Sequence, residues 1–333
     1  MREDHDILME AKHLRKWFPV KNGFRGEKKY VKAVEDVSLT IRRGETLGIV
    51  GESGCGKSTL ARLLLGLLDV TEGEILFRGK DITKLSGEDL RRERRYMQMV
   101  FQDPYASLNP RMRIVDALSE PFLIHGICTG EEARRKAEEL LDMVGLGKDS
   151  LRKFPHEFSG GQRQRICIAR ALAVRPELLI CDECVSALDV SIQAQIINLL
   201  MDLQKELGVT IVFISHDLRV VQHISTHVAV MYLGGVAEYG MKESLFENPV
   251  HPYTRALLSA VPIADPFLVR TNIRLKGEVP SPIDRPAGCS FCTRCAFQEE
   301  LCRDRAPEQI YVNPERYVCC HKAKELAQGM EPG

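Results

Sequence analysis

Over residues 31–50, VKAVEDVSLTIRRGETLGIV, polar and apolar positions alternate and then give way to an apolar run. Alternation is the pattern of a half-buried strand, and a short apolar run that of a strand covered on both faces. A strand, a glycine turn and a buried strand are therefore predicted. The buried strand ends at Gly51, and the glycine-rich loop after it leads into STLARLLLGLL, which has helical apolar periodicity. EGEILFRGKDI reads as strand–turn–strand, and residues 105–175 read as mostly helical, with charged amphipathic stretches such as EEARRKAEELLDMVGL. Two further buried strands are predicted, LLIC at 178–181 and TIVFIS at 210–215, with the helix SIQAQIINLLMDLQKEL between them. Strands alternating with helices predict an α/β fold with a covered, parallel sheet. After residue 245 prolines become dense (Pro249, Pro252, Pro262, Pro266, Pro280, Pro282, Pro286), predicting a linker that wraps toward a small cysteine-rich module. No internal repeat or low-complexity segment interrupts this layout.

Length and charge narrow the function classes. With 333 residues the chain has room for one large domain, or one large and one small, and needs no cross-links. Lys+Arg and Asp+Glu balance at 46 each, so net charge carries no nucleic-acid footprint. No apolar run is long enough to span a bilayer, and MREDHDILMEAKHLRK lacks the layout of a secretion signal. A cytosolic chain is expected, with any membrane role coming through a partner. Eleven cysteines are present, of which six crowd into 289–320. In a reducing compartment such a cluster reads as metal or iron–sulfur ligation before disulfides.

The chemistry sits at the ends of the buried strands. Gly51-Glu52-Ser53-Gly54-Cys55-Gly56-Lys57-Ser58-Thr59 fits the phosphate-loop pattern G-x-x-x-x-G-K-[ST], with a strand before it and a helix after it. Its glycines let successive N–H groups face a phosphate, helped by the positive end of the helix. Lys57 is expected to reach the β- and γ-phosphates of ATP, and the Ser58 hydroxyl to bind Mg2+. Leu178-Leu179-Ile180-Cys181-Asp182-Glu183 is an apolar strand ending in two acids. Beside a phosphate loop, Asp182 can hold Mg2+ through its hydration shell, and Glu183 can act as general base toward water. Ser159-Gly160-Gly161-Gln162 opens a helix, with Ser159 as its cap.

In this order those segments resemble the ABC ATPase family, as do Gln102 in MVFQDP, Ser186-Ala187-Leu188-Asp189, and His216 in ISHD. The resemblance covers residues 8–245. It implies a P-loop ATPase core with an antiparallel β subdomain and a helical subdomain at about 103–175. It further implies that ATP on one subunit's loop is gripped by the signature serine and N–H groups of another, in a head-to-tail dimer. Gln102 would sense Mg2+ and the water, His216 would contact the γ-phosphate, and Asp189 would lie at the dimer contact. Such ATPases stack an aromatic ring on adenine. Trp17 and Phe18 both stand at that place, and spacing selects Phe18.

The segments FQDPYASLNP at 101–110, HPYTRALL at 251–258 and GEVPSP at 277–282, followed by Gly288-Cys289, resemble the oligopeptide/dipeptide importer branch and extend the likeness over nearly the whole chain. The implied partners are a sister ATPase, two transmembrane permeases and an extracytoplasmic solute-binding protein, at the cytoplasmic face of the membrane. Related systems carry nickel, glutathione or oligosaccharides, and the chain does not choose among these and peptides. Cys289, Cys295, Cys302 and Cys320, spaced C-x5-C-x6-C-x17-C, resemble the branch's tail module, in which four cysteines can hold a [4Fe–4S] cluster. Four thiolates also suit Zn2+, and Cys292, Cys319 and His321 leave the ligand set open. Cys184 departs from the pattern, standing where proline usually follows the glutamate. Cys55, inside the phosphate loop, predicts that alkylation there blocks nucleotide binding.

The expected division is an ATPase domain at 1–245 and an extension at 246–333. The rivals are a soluble ABC ATPase acting on ribosomes or DNA, a P-loop kinase and a non-catalytic regulatory cassette. The first usually needs a second cassette or coiled coils, the second would lack Ser159–Gln162, and the third would lose Glu183 or Lys57.

Overall fold

The computed structural model describes residues 6–20, 28–261, 273 and 275–329, so Pro262 and Pro266 of the expected linker lie outside the described residues. In chain order the first elements are β1 (Ile7–Val20), β2 (Lys29–Arg42), β3 (Thr46–Val50), α1 (Lys57–Leu64), β4 (Glu72–Phe77) and β5 (Lys80–Asp81). There follow α2 (Gly87–Arg94), β6 (Met97–Val100), α3 (Pro104–Ser107), α4 (Ile114–Ile124), α5 (Gly130–Met143), α6 (Gly160–Leu172), β7 (Leu178–Asp182), α7 (Val190–Leu207) and β8 (Thr210–Ile214). Next come α8 (Leu218–Ile224), β9 (His227–Tyr232), β10 (Gly235–Met241), α9 (Lys242–Glu247) and α10 (Pro252–Ser259). The tail holds α11 (Glu300–Asp304), β11 (Ile310–Asn313), β12 (Arg316–Val318) and α12 (Ala323–Ala327).

The chain forms two compact units. The first takes residues 1–8, 41–46 and 84–214. Within it β6, β7 and β8 run parallel, in register from Met97 opposite Leu178 and from Leu178 opposite Thr210. β7 and β8 are buried at every position, as an apolar run in a covered parallel sheet must be. The stretch read as helical supplies α3 to α6. α5 shows why it folds: Ala133, Ala137, Leu140 and Leu141 form one buried stripe, while Lys136 pairs with Glu132 at 3.4 Å on the wet side.

The second unit takes residues 9–40, 47–83 and 215–333. One of its sheets is antiparallel, in the order β2-β1-β4-β5. The other runs β11-β12-β10-β9-β3, with β3 and β9 parallel and the remaining neighbours antiparallel. The tail is thus built onto a sheet. It is keyed there by Arg316, whose Nη2 pairs with Glu238 while Nε lies 3.1 Å from the same carboxylate. Both residues are at most 4 % exposed. The same Glu238 accepts the N–H groups of Val250 (3.1 Å) and His251 (2.9 Å), so its lone pairs are well used. Beneath lies a small core of Val250, Val318, Ala323 and Leu326.

Candidate nucleotide site

The phosphate loop follows β3, which is buried throughout and anchored to β9 from Leu47 opposite His227 to Val50 opposite Val230. Two glycines are sterically required. A Cβ on Gly51 would meet the Met231 carbonyl oxygen at 2.2 Å, and one on Gly56, at φ 103°, would meet that of Ala33 at 2.1 Å. Lys57 opens α1, and its Nζ donates to the carbonyls of Gly51 (2.8 Å) and Glu52 (3.1 Å), folding the ammonium over the loop. Cys55 points inward, 3.9 Å from that nitrogen. Burial pushes the Cys55 thiol up, with the Lys57 charge opposing. At 5 % exposure and with little thiolate, Cys55 reacts slowly with alkylating reagents. Ser215 donates its N–H to the Ile49 carbonyl (3.2 Å), so exposed His216 is held near the carboxyl end of β3.

The two aromatic candidates adjoin on β1, so alternation sends them to opposite faces. The Trp17 indole N–H donates to Glu35 (2.9 Å), and Lys32 covers its ring at 4.9 Å. Phe18 has Lys16 5.3 Å from its ring centre.

The first unit carries the acids and the signature. β7 ends in Asp182, 7 % exposed, and Glu183 follows at φ 47° with its N–H on Ile214 (2.9 Å). The Ser186 hydroxyl donates to the Glu183 carbonyl (2.9 Å), and Gln102 Nε2 lies 3.2 Å from the Glu183 carboxylate. Two expected catalytic residues, 81 positions apart, therefore meet. Cys184 is a buried free thiol, and its hydrogen bond with the Cys181 thiol, then burial, push Cys181 up. Ser159 caps α6 reciprocally: its Oγ accepts the Gln162 N–H (3.3 Å) while Gln162 Oε1 accepts the Ser159 N–H (3.0 Å). A Cβ on Gly161 would strike Ile192 Cγ2 at 2.4 Å, so the signature glycine lets α6 approach α7. Exposed Asp189 precedes α7 and makes no side-chain capping bond to it.

Comparison with known proteins shows the family. A family model described as "ABC transporter" matches residues 34–186, and one described as "Oligopeptide/dipeptide transporter, C-terminal region" matches 237–302. The oligopeptide transport ATP-binding protein AppF of Bacillus subtilis (strain 168) is 52% identical over 96% of this chain and 98% of its own length. The chain belongs to the ATP-binding proteins of ABC transporters. The dipeptide transport ATP-binding protein DppF of Haemophilus influenzae is 48% identical over 96% of this chain and 97% of its own. A solved dimeric ATP-binding cassette in a post-hydrolysis state, bound to ADP and Pi, superposes with a TM-score of 0.62 at 31% identity, covering 70% of this chain and 98% of that one. The α/β cassette and the ATPase activity expected from the motifs are thereby established for this ABC ATPase.

The cysteine-rich tail of this ABC ATPase agrees with the ligand expectation less well. Cys289 donates its N–H to the Cys302 carbonyl (2.8 Å), and the Cys292 and Cys295 N–H groups close successive turns. Burial first, then neighbouring thiols, push Cys289 up to about 12 and Cys295 and Cys320 up to about 11. The sulfurs therefore share one neighbourhood, yet among the described residues no three His, Cys, Asp or Glu side chains gather closely enough to hold a metal ion. The [4Fe–4S] or zinc ligand set is not assembled.

Sequence reasoning missed what braces the site. The Tyr253 hydroxyl accepts the Glu52 N–H (3.0 Å), and Arg294 Nη1 reaches both Glu52 oxygens, at 3.2 and 2.9 Å. The segments that hold Tyr253 and Arg294 were legible only as subfamily markers, since a contact across 242 positions leaves no local pattern.

Proposed function

We propose that this chain is the ATP-hydrolysing subunit that powers import of oligopeptides or dipeptides through an ABC transporter. The observation that carries the solute class is the match of residues 237–302 to the oligopeptide/dipeptide transporter C-terminal region, joined to relatives named for peptide transport. The implied companions are a sister ATPase, two permeases and an extracytoplasmic solute-binding protein, with the chain at the cytoplasmic membrane face.

In this reading Mg-ATP is the substrate. The loop from Gly51 to Thr59 cradles its phosphates, Lys57 neutralises the β- and γ-phosphates, and Ser58, Asp182 and Gln102 serve Mg2+. Phe18 stacks on adenine, because the Trp17 indole is already engaged with Glu35 and Lys32. Glu183 takes a proton from the attacking water, oriented by Gln102, and His216 steadies the γ-phosphate. The Ser159–Gln162 helix tip binds the triphosphate held by the sister subunit, with Asp189 at that contact.

The cofactor reading belongs to the same proposal. Cys289, Cys295, Cys302 and Cys320 offer a thiolate set of the right chemistry for a [4Fe–4S] cluster or Zn2+, and binding either requires the sulfurs to draw together. Anaerobically purified protein showing an iron–sulfur absorbance band decides for the cluster, and colourless protein with stoichiometric zinc decides for the other.

The motor role is tested by reconstituting the chain with its companion subunits. Peptide-stimulated phosphate release is expected, and Glu183→Gln is expected to abolish hydrolysis while retaining Mg-ATP. Hydrolysis surviving in Glu183→Gln, or uptake of another solute but no peptide, would overturn the assignment.

A further inference from the structure

Glu52 places a carboxylate inside a loop whose task is to hold a polyanion. Left alone, that charge would repel the triphosphate, and a half-buried carboxylate without a partner is itself costly. Here it is turned onto Arg294, whose side chain is 9 % exposed against 27 % for Glu52. Arg294 is not a loose surface arm. It sits in the cysteine turn, where its N–H donates to Phe291 (3.0 Å) and the next residue, Cys295, closes on Cys292 (3.3 Å). Its guanidinium also lies 5.9 Å from the Tyr232 ring centre, and Tyr232 packs on Tyr253 (4.7 Å) and Phe291 (5.2 Å). Tyr253, fully buried, takes the Glu52 N–H. Side chain and backbone of one loop residue are thus each gripped by the C-terminal extension.

We propose that Arg294 is a positioning residue for Mg-ATP: from the cysteine turn it neutralises and withdraws the Glu52 carboxylate, so that the extension sets the affinity of the phosphate loop. The inference rests on the ATPase reading above and adds a determinant that lies outside every ATP-binding motif. Its effect falls on nucleotide affinity, since Arg294 acts through Glu52 and touches no reacting atom.

The test is a double-mutant cycle on the full chain, reading the Mg-ATP dissociation constant and, with companion subunits, KM against kcat. Arg294→Ala is expected to weaken Mg-ATP binding about tenfold and to raise KM more than it lowers kcat, with Arg294→Lys recovering most of the loss. In a Glu52→Gln background the same Arg294→Ala change is expected to cost less than twofold, because no charge remains to be withdrawn. A defect of folding alone would persist in that background, so persistence overturns the proposal, as does unaltered affinity in Arg294→Ala. If Arg294→Ala does not fold, Arg294→Gln carries the same cycle. Wild-type protein that fails to bind Mg-ATP would instead sink the ATPase reading, whereas wild-type binding with a flat variant series sinks only the role of Arg294.

Discussion

At Glu183 the backbone enters the left-handed region, a conformation that costs a non-glycine residue about 1–3 kcal/mol. The bend follows directly on β7 and is held by Ile214 on one side and Ser186 on the other, so Glu183 keeps its place without the proline usual at the next position. Cys184 fills that position as a small buried free thiol beside Cys181. His251 illustrates a different kind of constraint. It is 3 % exposed, caps α10 by accepting the Tyr253 N–H (3.0 Å), and burial lowers its pKa from 6.5 to about 4. Between those two values the unfolded chain binds more protons than the folded one, so this residue's contribution to stability is complete above about pH 6.5 and drains away toward pH 4. His251→Asn replaces the capping Nδ1 with an amide oxygen that can accept the same N–H, and removes the titration. Its denaturation midpoint is expected to fall less steeply than that of wild type over this window, and parallel pH profiles would refute the assignment.

Among elements, the decisive one for the tail is β12. Only two of its register positions against β10 are paired, Glu238 with Val318 and Tyr239 with Tyr317, which is little to hold β12 and the edge strand β11 beyond it. Arg316 supplies the rest, binding Glu238, the Ser244 carbonyl (2.9 Å) and the Ser244 hydroxyl (2.8 Å). Removing one member of such a buried pair strands the other charge. Arg316→Ala is therefore expected to destabilise the second unit by about 3–5 kcal/mol in chemical denaturation, whereas a loss below about 1 kcal/mol would mean that the tail docks by other means. The α6 start makes the opposite point. Its capping box is local and was predictable from Ser159 to Gln162, but the need for Gly161 comes from Ile192, thirty-one positions away.

At the scale of the whole molecule, no helix among the described residues is long and apolar enough to cross a membrane. The extension also serves the cassette from which sequence reasoning divided it. A chain lacking residues 246–333 keeps every position of the phosphate loop but loses Tyr253, Arg294 and the strand beside β10. Equilibrium binding is expected to show at least a tenfold loss of Mg-ATP affinity in that truncated chain, and affinity equal to the full chain's would contradict the bracing described here.

Local patterns sufficed for the buried strands, the amphipathic α5, the phosphate loop and the α6 cap, because each is written in spacings of a few residues and each spacing has one physical reading. The order of those motifs was also enough to assign the family. Tertiary structure alone decided that Gln102 meets Glu183, that Cys55 is withdrawn from solvent, that the tail cysteines share a neighbourhood without gathering into a metal site, and that Glu52 is answered by Tyr253 and Arg294. Those outcomes depend on which distant segments the sheets bring together, and on how burial alters a charge or a thiol once they arrive. Neither quantity is encoded within any short window of the chain.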